Sequence, residues 1–127
     1  MTAFTFDHMH VRSPDPEATA RYFERMFGAR ILRTMQQGKP RIDLVLGGVN
    51  IFLALAETGV NPAPVTPYQG LDHFGLTVTG IDAVCAELKA KGAVFTKEPA
   101  TIRPGTRVAF IRGPEGVSIE LLERTPV

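Results

Sequence analysis

Two of the three histidines and one glutamate have the residue types and the spacing of a metal site. His8 and His73 each follow an aspartate, and each lies in a stretch where apolar and polar residues alternate. Glu120 lies in a third such stretch, on its more polar side. Two imidazoles and one carboxylate on three separate strands can bind a divalent metal and leave coordination positions open for substrate or water. We therefore predict His8, His73 and Glu120 as metal ligands.

The elements that would position these residues recur along the chain. An Asp-His dipeptide precedes a strand-like run in each half, and helix-period stretches follow at 16–27 and 82–91. Each helical stretch stops at Gly-Ala, and Asp15 and Asp82 are the predicted helix starts. The strand-like runs are 6–12, 31–35, 41–46 and 48–53 in the first half, and 71–78, 94–97, 107–112 and 116–121 in the second. Each half therefore reads β-α-β-β-β.

The repeat predicts two modules, at about residues 1–56 and 71–127, within a single domain over 1–127. The linker at 57–70 contains three prolines and two glycines. Neither half could bury its helix stripe and its sheet face alone, so we expect an α+β fold in which the modules pair into a curved, mixed eight-stranded sheet with a central cleft. The alternative is a ferredoxin-like sandwich with a coincidental repeat. Because such a sheet leaves edges to cover, we expect a homodimer.

Two residues differ between the halves at positions that face the predicted cleft. His10 is two residues beyond His8 on the same side of the strand, and its counterpart is Gly75. We take His10 as the candidate catalytic residue, although a fourth ligand or a cleft residue without a chemical role remain alternatives. Phe52 occupies the place that Glu120 has in the other half.

Composition and charge exclude several classes of protein. The chain has 127 residues with 44% hydrophobic and 21% charged, as in globular domains. Its net charge is +1 and no run of like charge exceeds two residues, which excludes a nucleic-acid footprint. The lone Cys85 excludes an internal disulfide and is predicted to be buried. No secretory signal or membrane-length apolar run is visible, so we predict a cytoplasmic protein that acts on a small molecule without membrane or nucleic-acid partners.

The chain resembles the vicinal oxygen chelate superfamily, which includes glyoxalases, bleomycin-resistance proteins and dioxygenases. The matching stretches are FDHMHVRSPDPEATARYFERMFGA, LDHFGLTVTGIDAVCAELKAKGA and RVAFIRGPEGVSIELLE. The resemblance implies one divalent metal held by the opening histidine of each module and by the glutamate of the closing strand, which correspond to His8, His73 and Glu120. It leaves open whether His8 joins the other two within one chain or across a dimer.

The sequence departs from one part of that family. Glyoxalase I and methylmalonyl-CoA epimerase usually have Glu or Gln as a fourth ligand where this chain has Phe52, and a phenyl ring can neither bind a metal nor act as a base. The chain is therefore more similar to the three-ligand members, the ring-cleaving dioxygenases and the thiol transferases that inactivate fosfomycin.

Three functions follow from this resemblance. Our leading hypothesis is an Fe²⁺-dependent oxygenase acting on a small diol or hydroxy-ketone, with His10 as the acid–base residue and Tyr68 as a second candidate. The first alternative is a glyoxalase- or epimerase-type lyase or isomerase, or a thiol transferase, using Mn²⁺, Zn²⁺ or Ni²⁺. The second is a metal-free, bleomycin-resistance-like binding protein, against which the retained ligand set argues.

Overall fold

The chain folds into two compact units of the same design. The computed structural model describes residues 2–127, and the two units divide along the chain between Asn61 and Pro62. The first unit contains β1 (His8–Ser13), α1 (Pro16–Phe27), β2 (Arg30–Gln36), β3 (Lys39–Leu46) and β4 (Val49–Leu55). The second contains β5 (Phe74–Thr77), α2 (Ile81–Ala90), β6 (Val94–Arg103), β7 (Thr106–Arg112) and β8 (Ser118–Arg124). The predicted α+β class and the β-α-β-β-β order are confirmed.

Each unit has its own four-stranded mixed sheet, and the strand order is the same in both. The orders are β1-β4-β3-β2 and β5-β8-β7-β6. The first and last strands of each unit pair in parallel, while the remaining neighbours are antiparallel. His10 is the partner of Phe52 between β1 and β4, and Gly75 is the partner of Glu120 between β5 and β8. This shared register confirms that Phe52 occupies the position of Glu120.

The helix of each unit covers one face of its sheet because its apolar residues recur at helical spacing. α1 buries Ala20, Phe23 and Met26, and contacts β3 and β4, where Leu44 and Ile51 are buried. Burial of one such large side chain contributes about 1.5–3 kcal/mol. Strand alternation then leaves the residues between the buried ones on the opposite face of the sheet, where the polar side chains lie.

α2 follows the same plan, with a buried stripe of Ile81, Cys85 and Leu88. Its contacts are with β6, β7 and β8, whose residues Ile111 and Ile119 are fully buried. Burial of Cys85 is confirmed, and burial raises the pKa of its thiol, which keeps it protonated and unreactive at neutral pH.

The two helices begin differently, and one predicted start is wrong. The Asp15 side chain accepts a hydrogen bond of 3.0 Å from the backbone N–H of Ala18, so the predicted start of α1 is confirmed. α2 begins at Ile81 rather than Asp82, after Gly80 in a left-handed conformation (φ 74°) with no side-chain cap of its own. The Glu123 carboxylate of β8 instead accepts hydrogen bonds from the N–H groups of Gly80 and Ile81. A negative charge at this helix end is favourable because of the helix dipole.

The segment at residues 99–105, which lies between the predicted strand-like runs 94–97 and 107–112, is mostly strand. β6 continues through Pro99 to Arg103, and Pro104 and Gly105 alone form the turn to β7. Proline cannot donate a hydrogen bond to a neighbouring strand, but β6 is the last strand in the sheet order and can accommodate one. The ladder is irregular on both sides of Pro99, as expected where a donor is missing.

Neither α-helix found in residues 2–127 has the length and apolar composition that crossing a membrane requires.

Candidate metal and substrate site

His73 and Glu120 lie side by side in the second unit. The distance from His73 Nε2 to Glu120 Oε1 is 3.8 Å, and both side chains are partly exposed. Asp72 Oδ2 lies 2.7 Å from His73 Nδ1, and the Phe110 ring packs edge-on against the imidazole at 5.0 Å. Because the carboxylate accepts the hydrogen bond from Nδ1–H, the neutral ring carries its lone pair at Nε2, on the side of Glu120.

A glycine keeps the space beside Glu120 open. Gly75 is the β5 partner of Glu120, and a Cβ atom at Gly75 would lie 3.3 Å from Glu120 Oε1. A larger side chain would therefore crowd the carboxylate. At the matching place in the first unit, His10 stands beside Phe52.

His8 in the first unit is held in the same way as His73. Asp7 Oδ2 lies 2.7 Å from His8 Nδ1, and the His8 ring stacks on Phe52 with 4.1 Å between centroids. Each opening histidine therefore has one nitrogen bound to the preceding aspartate and an aromatic ring against its face or edge. In both units Nε2 is therefore the ring nitrogen whose lone pair could bind a metal.

Sequence reasoning did not assign a role to the two aspartates, Asp7 and Asp72. Strand alternation places each on the face opposite its histidine, but β1 begins only at His8 and β5 only at Phe74. Both aspartates precede their strands, so alternation does not constrain their side chains. The repeated Asp-His dipeptide was the signal that could have identified them.

In both units a carboxylate and a phenyl ring lie opposite each other on the last two strands. The carboxylate is on the third strand of the first unit but on the fourth strand of the second. Asp43 of β3 is opposite Phe52 of β4, whereas Phe110 of β7 is opposite Glu120 of β8. In the first unit the carboxylate is engaged, because Arg41 Nε lies 2.9 and 3.1 Å from the two Asp43 oxygens. The carboxylate that Phe52 lacks is thus present on the neighbouring strand, paired with a guanidinium.

His10 is exposed, and the side-chain contacts found for it within the described residues are with aromatic rings. Its ring centroid is 6.4 Å from those of His8 and Phe52. No hydrogen bond or ion pair involves its side chain in the part of the chain that the structure describes. Both imidazole nitrogens are therefore available to a ligand.

The predicted ligands are distributed over the two units: His73 with Glu120 in the second, and His8 in the first, where the candidate catalytic residue His10 also lies. Within residues 2–127 no group of three or more His, Cys, Asp or Glu side chains is gathered as a metal site. The donors are nevertheless of the right chemistry, since two imidazoles with engaged Nδ1 atoms and one carboxylate suit a divalent cation.

Comparison with known families matches residues 5–121 to the Glyoxalase/Bleomycin resistance protein/Dioxygenase superfamily. A lactoylglutathione lyase of Haemophilus influenzae is 26% identical over 121 residues, 91% of this chain and 90% of that protein. A probable chloroplastic lactoylglutathione lyase of Arabidopsis thaliana is 29% identical over 126 residues, 94% of this chain and 35% of the plant protein. The chain spans less than half the length of the plant relatives it matches.

Solved structures match the fold over nearly the whole chain. A glyoxalase family protein from Bacillus cereus has a TM-score of 0.79 at 20% identity, covering 99% of this chain and 97% of that one. TnmS3, an antibiotic binding protein from Streptomyces sp. CB03234, has a TM-score of 0.75 at 20% identity, covering 98% and 99%. Proteins with different functions share this fold, so these matches establish the architecture.

Proposed function

We propose a function from the family of this chain, which belongs to the Glyoxalase/Bleomycin resistance protein/Dioxygenase superfamily. The proposed function is that of a divalent-metal-dependent enzyme acting on a small molecule with two neighbouring oxygens. His8, His73 and Glu120 are the proposed metal ligands, with Fe²⁺ as the favoured ion. The arrangement of His73 carries the proposal: its Nδ1 is bound by Asp72 and its Nε2 lies 3.8 Å from Glu120. The same Asp-His contact in the first unit supports His8 as the third ligand.

An oxygenase reaction of the ring-cleaving type fits the three-ligand set best. A divalent metal held by these three residues would supply stabilisation of negative charge on the substrate oxygens, and Fe²⁺ would also supply redox chemistry with O₂. Phe52 supports this choice, because it places a phenyl ring where a fourth carboxylate would otherwise stand. Substrates of this kind are small diols or hydroxy-ketones.

The chain's own side chains supply orientation and proton transfer. Asp7 and Asp72 fix the ring orientation of the two histidines and make Nε2 the donor. His10, exposed and free of hydrogen bonds in the described residues, accepts the proton of a substrate hydroxyl at a ring nitrogen. Phe52 shields one face of His8 from water through its stacking contact.

A glyoxalase-type lyase is the second candidate. The curated relatives at 25–29% identity are named lactoylglutathione lyases, which favours this reaction class. Such a reaction moves a proton on carbon, and with Phe52 in place of a carboxylate, His10 would have to be the base. The metal would then be redox-inert in the reaction, such as Zn²⁺, Ni²⁺ or Mn²⁺.

Metal reconstitution separates these functions. The protein is stripped with EDTA and reloaded anaerobically with Fe²⁺ in one arm and with Zn²⁺ or Ni²⁺ in the other. We expect O₂ uptake with catechol-like compounds in the Fe²⁺ arm alone. Lactoylglutathione formation from glutathione and methylglyoxal in the second arm, without O₂ uptake in the first, would instead establish the lyase. Failure to bind any divalent metal would establish a metal-free binding protein.

The Phe52→Glu substitution tests the position that distinguishes the two reaction classes. The new carboxylate would occupy the register of Glu120, so we expect metal affinity to rise by at least roughly tenfold, about 1.4 kcal/mol. O₂-dependent turnover should fall, because a coordination position is then filled. Competition with a chromophoric chelator measures the affinity, and Phe52→Leu is the control that removes the ring without adding a carboxylate. Phe52 is only half-buried, so unchanged affinity in a folded Phe52→Glu protein would contradict the assignment.

We further propose that the protein works as a homodimer. In the described sheets β1 and β5 each have one hydrogen-bonded neighbour, so each strand has an outer edge with unpaired backbone groups. Light scattering of the purified full chain tests this proposal, and a monomeric mass at micromolar concentration would contradict it.

A further inference from the structure

A groove of about 680 Å³ lies wholly within the first unit, beside His10 and Phe52. It is lined by the start of α1, by the β2–β3 turn with the beginning of β3, and by the end of β4. Pro14, Pro16 and Leu55 contribute apolar surface, and Leu55 is 57% exposed. A groove with such walls suits the apolar body of a small organic molecule.

Two cations line this groove, and neither is fully engaged by the protein. Arg41 is held in place, because Nε contacts the Asp43 carboxylate and Nη1 donates to Gln36 Oε1 at 2.9 Å. Its Nη2 has no partner within the described chain, and the same is true of the Lys39 ammonium group. The guanidinium is therefore oriented in advance while keeping donors for a ligand.

The acidic residues that also line the groove are engaged elsewhere. Asp15 caps α1, and Glu17 forms ion pairs with Arg21 and Arg33. The hydrogen bond from Arg33 lowers the pKa of the Glu17 carboxyl, so this carboxylate stays ionised and bound to its own partners. Asp43 pairs with Arg41, so Lys39 is the groove cation that has no ion pair within the described chain.

The turn beside these cations has a backbone conformation that its sequence does not favour. Gln37 and Gly38 have φ values of 53° and 74°, as in the hairpin turns that prefer Asn-Gly. A glutamine is disfavoured in this left-handed region. Strained residues of this kind cluster at ligand sites, and Gln37 lines the groove next to Lys39.

We propose that Lys39 and Arg41 bind a carboxylate of a small organic acid whose apolar part lies along the prolines and Leu55. This inference rests on the proposed function in one respect, which is that the bound acid is taken to be the substrate of the enzyme. The link to the site is direct: the Arg41 guanidinium lies 4.6 Å from the centroid of the Phe52 ring, which stacks on His8. A carboxylate anchored at Arg41 therefore lies close to Phe52, in the groove that His10 also lines.

Direct binding to the full chain tests the inference without any turnover. The ¹⁵N-labelled protein, as purified and after EDTA treatment, is titrated with phenylacetate, with the uncharged phenylacetamide and with inorganic phosphate. We expect phenylacetate to shift the amide signals of residues 36–39, 41 and 55, and to bind roughly tenfold or more tightly than phenylacetamide, since a charge-assisted hydrogen bond is lost in the amide. Phosphate, which lacks the apolar body, should bind more weakly than phenylacetate.

Matched charge-removal variants complete the test. Lys39→Gln should weaken phenylacetate binding by roughly tenfold, whereas Lys97→Gln, at an exposed lysine of β6, should leave it unchanged. Equal affinity for the acid and its amide, equal affinity for phosphate, or the same loss in both lysine variants would overturn the inference. So would loss of binding in His73→Ala, which would place the probe at the proposed metal ligands. A negative O₂-uptake assay would count against the proposed function but not against phenylacetate binding. Absence of phenylacetate binding would count against this inference but not against the result of the metal assays.

Discussion

His8→Ala and His73→Ala are each expected to lower divalent-metal affinity by at least roughly 100-fold. Loss of a hydrogen-bond partner of a ligand commonly costs 10–100-fold, so loss of the ligand itself should cost no less. Neither histidine belongs to the buried core, so the thermal midpoint of unfolding should change little. Elemental analysis after dialysis against metal-free buffer measures the occupancy, and circular dichroism checks the fold.

His10→Ala is the matched control for these two variants, because it removes an imidazole from the same strand as His8. It should retain the metal. Stoichiometric metal in the His8→Ala protein, or equal metal loss in all three variants, would contradict the ligand assignment.

His10→Ala should lower turnover by about 10²–10⁴-fold while metal content stays at the wild-type value. This range is typical of a lost general acid or base. The His10 ring lies 6.4 Å from the His8 ring and makes no hydrogen bond in residues 2–127, as a proton-transfer group awaiting substrate would. Steady-state kinetics of the reconstituted protein measures the effect.

Chemical rescue distinguishes proton transfer from a loss of packing at His10. Added imidazole should restore part of the turnover of His10→Ala, whereas Phe52→Leu, a change at the neighbouring ring, should gain nothing from it. Wild-type turnover in His10→Ala would assign His10 no chemical role, and metal loss would make it a ligand.

The parts of the fold that depend on short stretches of sequence could be predicted, and those that depend on distant partners could not. Asp15 and Gly28 bracket α1 through local hydrogen bonds and a left-handed turn, so its limits follow from the sequence. The start of α2 depends on Glu123, more than 40 residues away, and no local pattern shows that contact. Pro99 reads as a strand breaker, and only the position of β6 at the sheet edge makes it compatible with a strand.

The candidate site shows the same division. The repeat predicted that His8 and His73 are equivalent and that Phe52 replaces Glu120, because register follows from period-two alternation. Asp43 is the strand partner of Phe52, but its contact with Arg41 depends on side-chain conformations that a sequence pattern does not specify. The Asp7 contact lies just outside β1, where alternation no longer applies.

The exchanged carboxylate and phenyl ring constrain how one unit could have diverged from the other. If both descend from a duplicated ancestor, converting one arrangement into the other needs two substitutions, and each single step passes through an unfavourable protein. Acquiring Glu at Phe52 first would set two carboxylates opposite each other across β3 and β4, which is destabilising. Acquiring Phe at Asp43 first would remove the carboxylate partner of Arg41 on a half-buried face. Conversion of the first unit's arrangement into that of the second is therefore hindered whichever substitution comes first, and a unit with the Asp43 and Phe52 pair would tend to keep it.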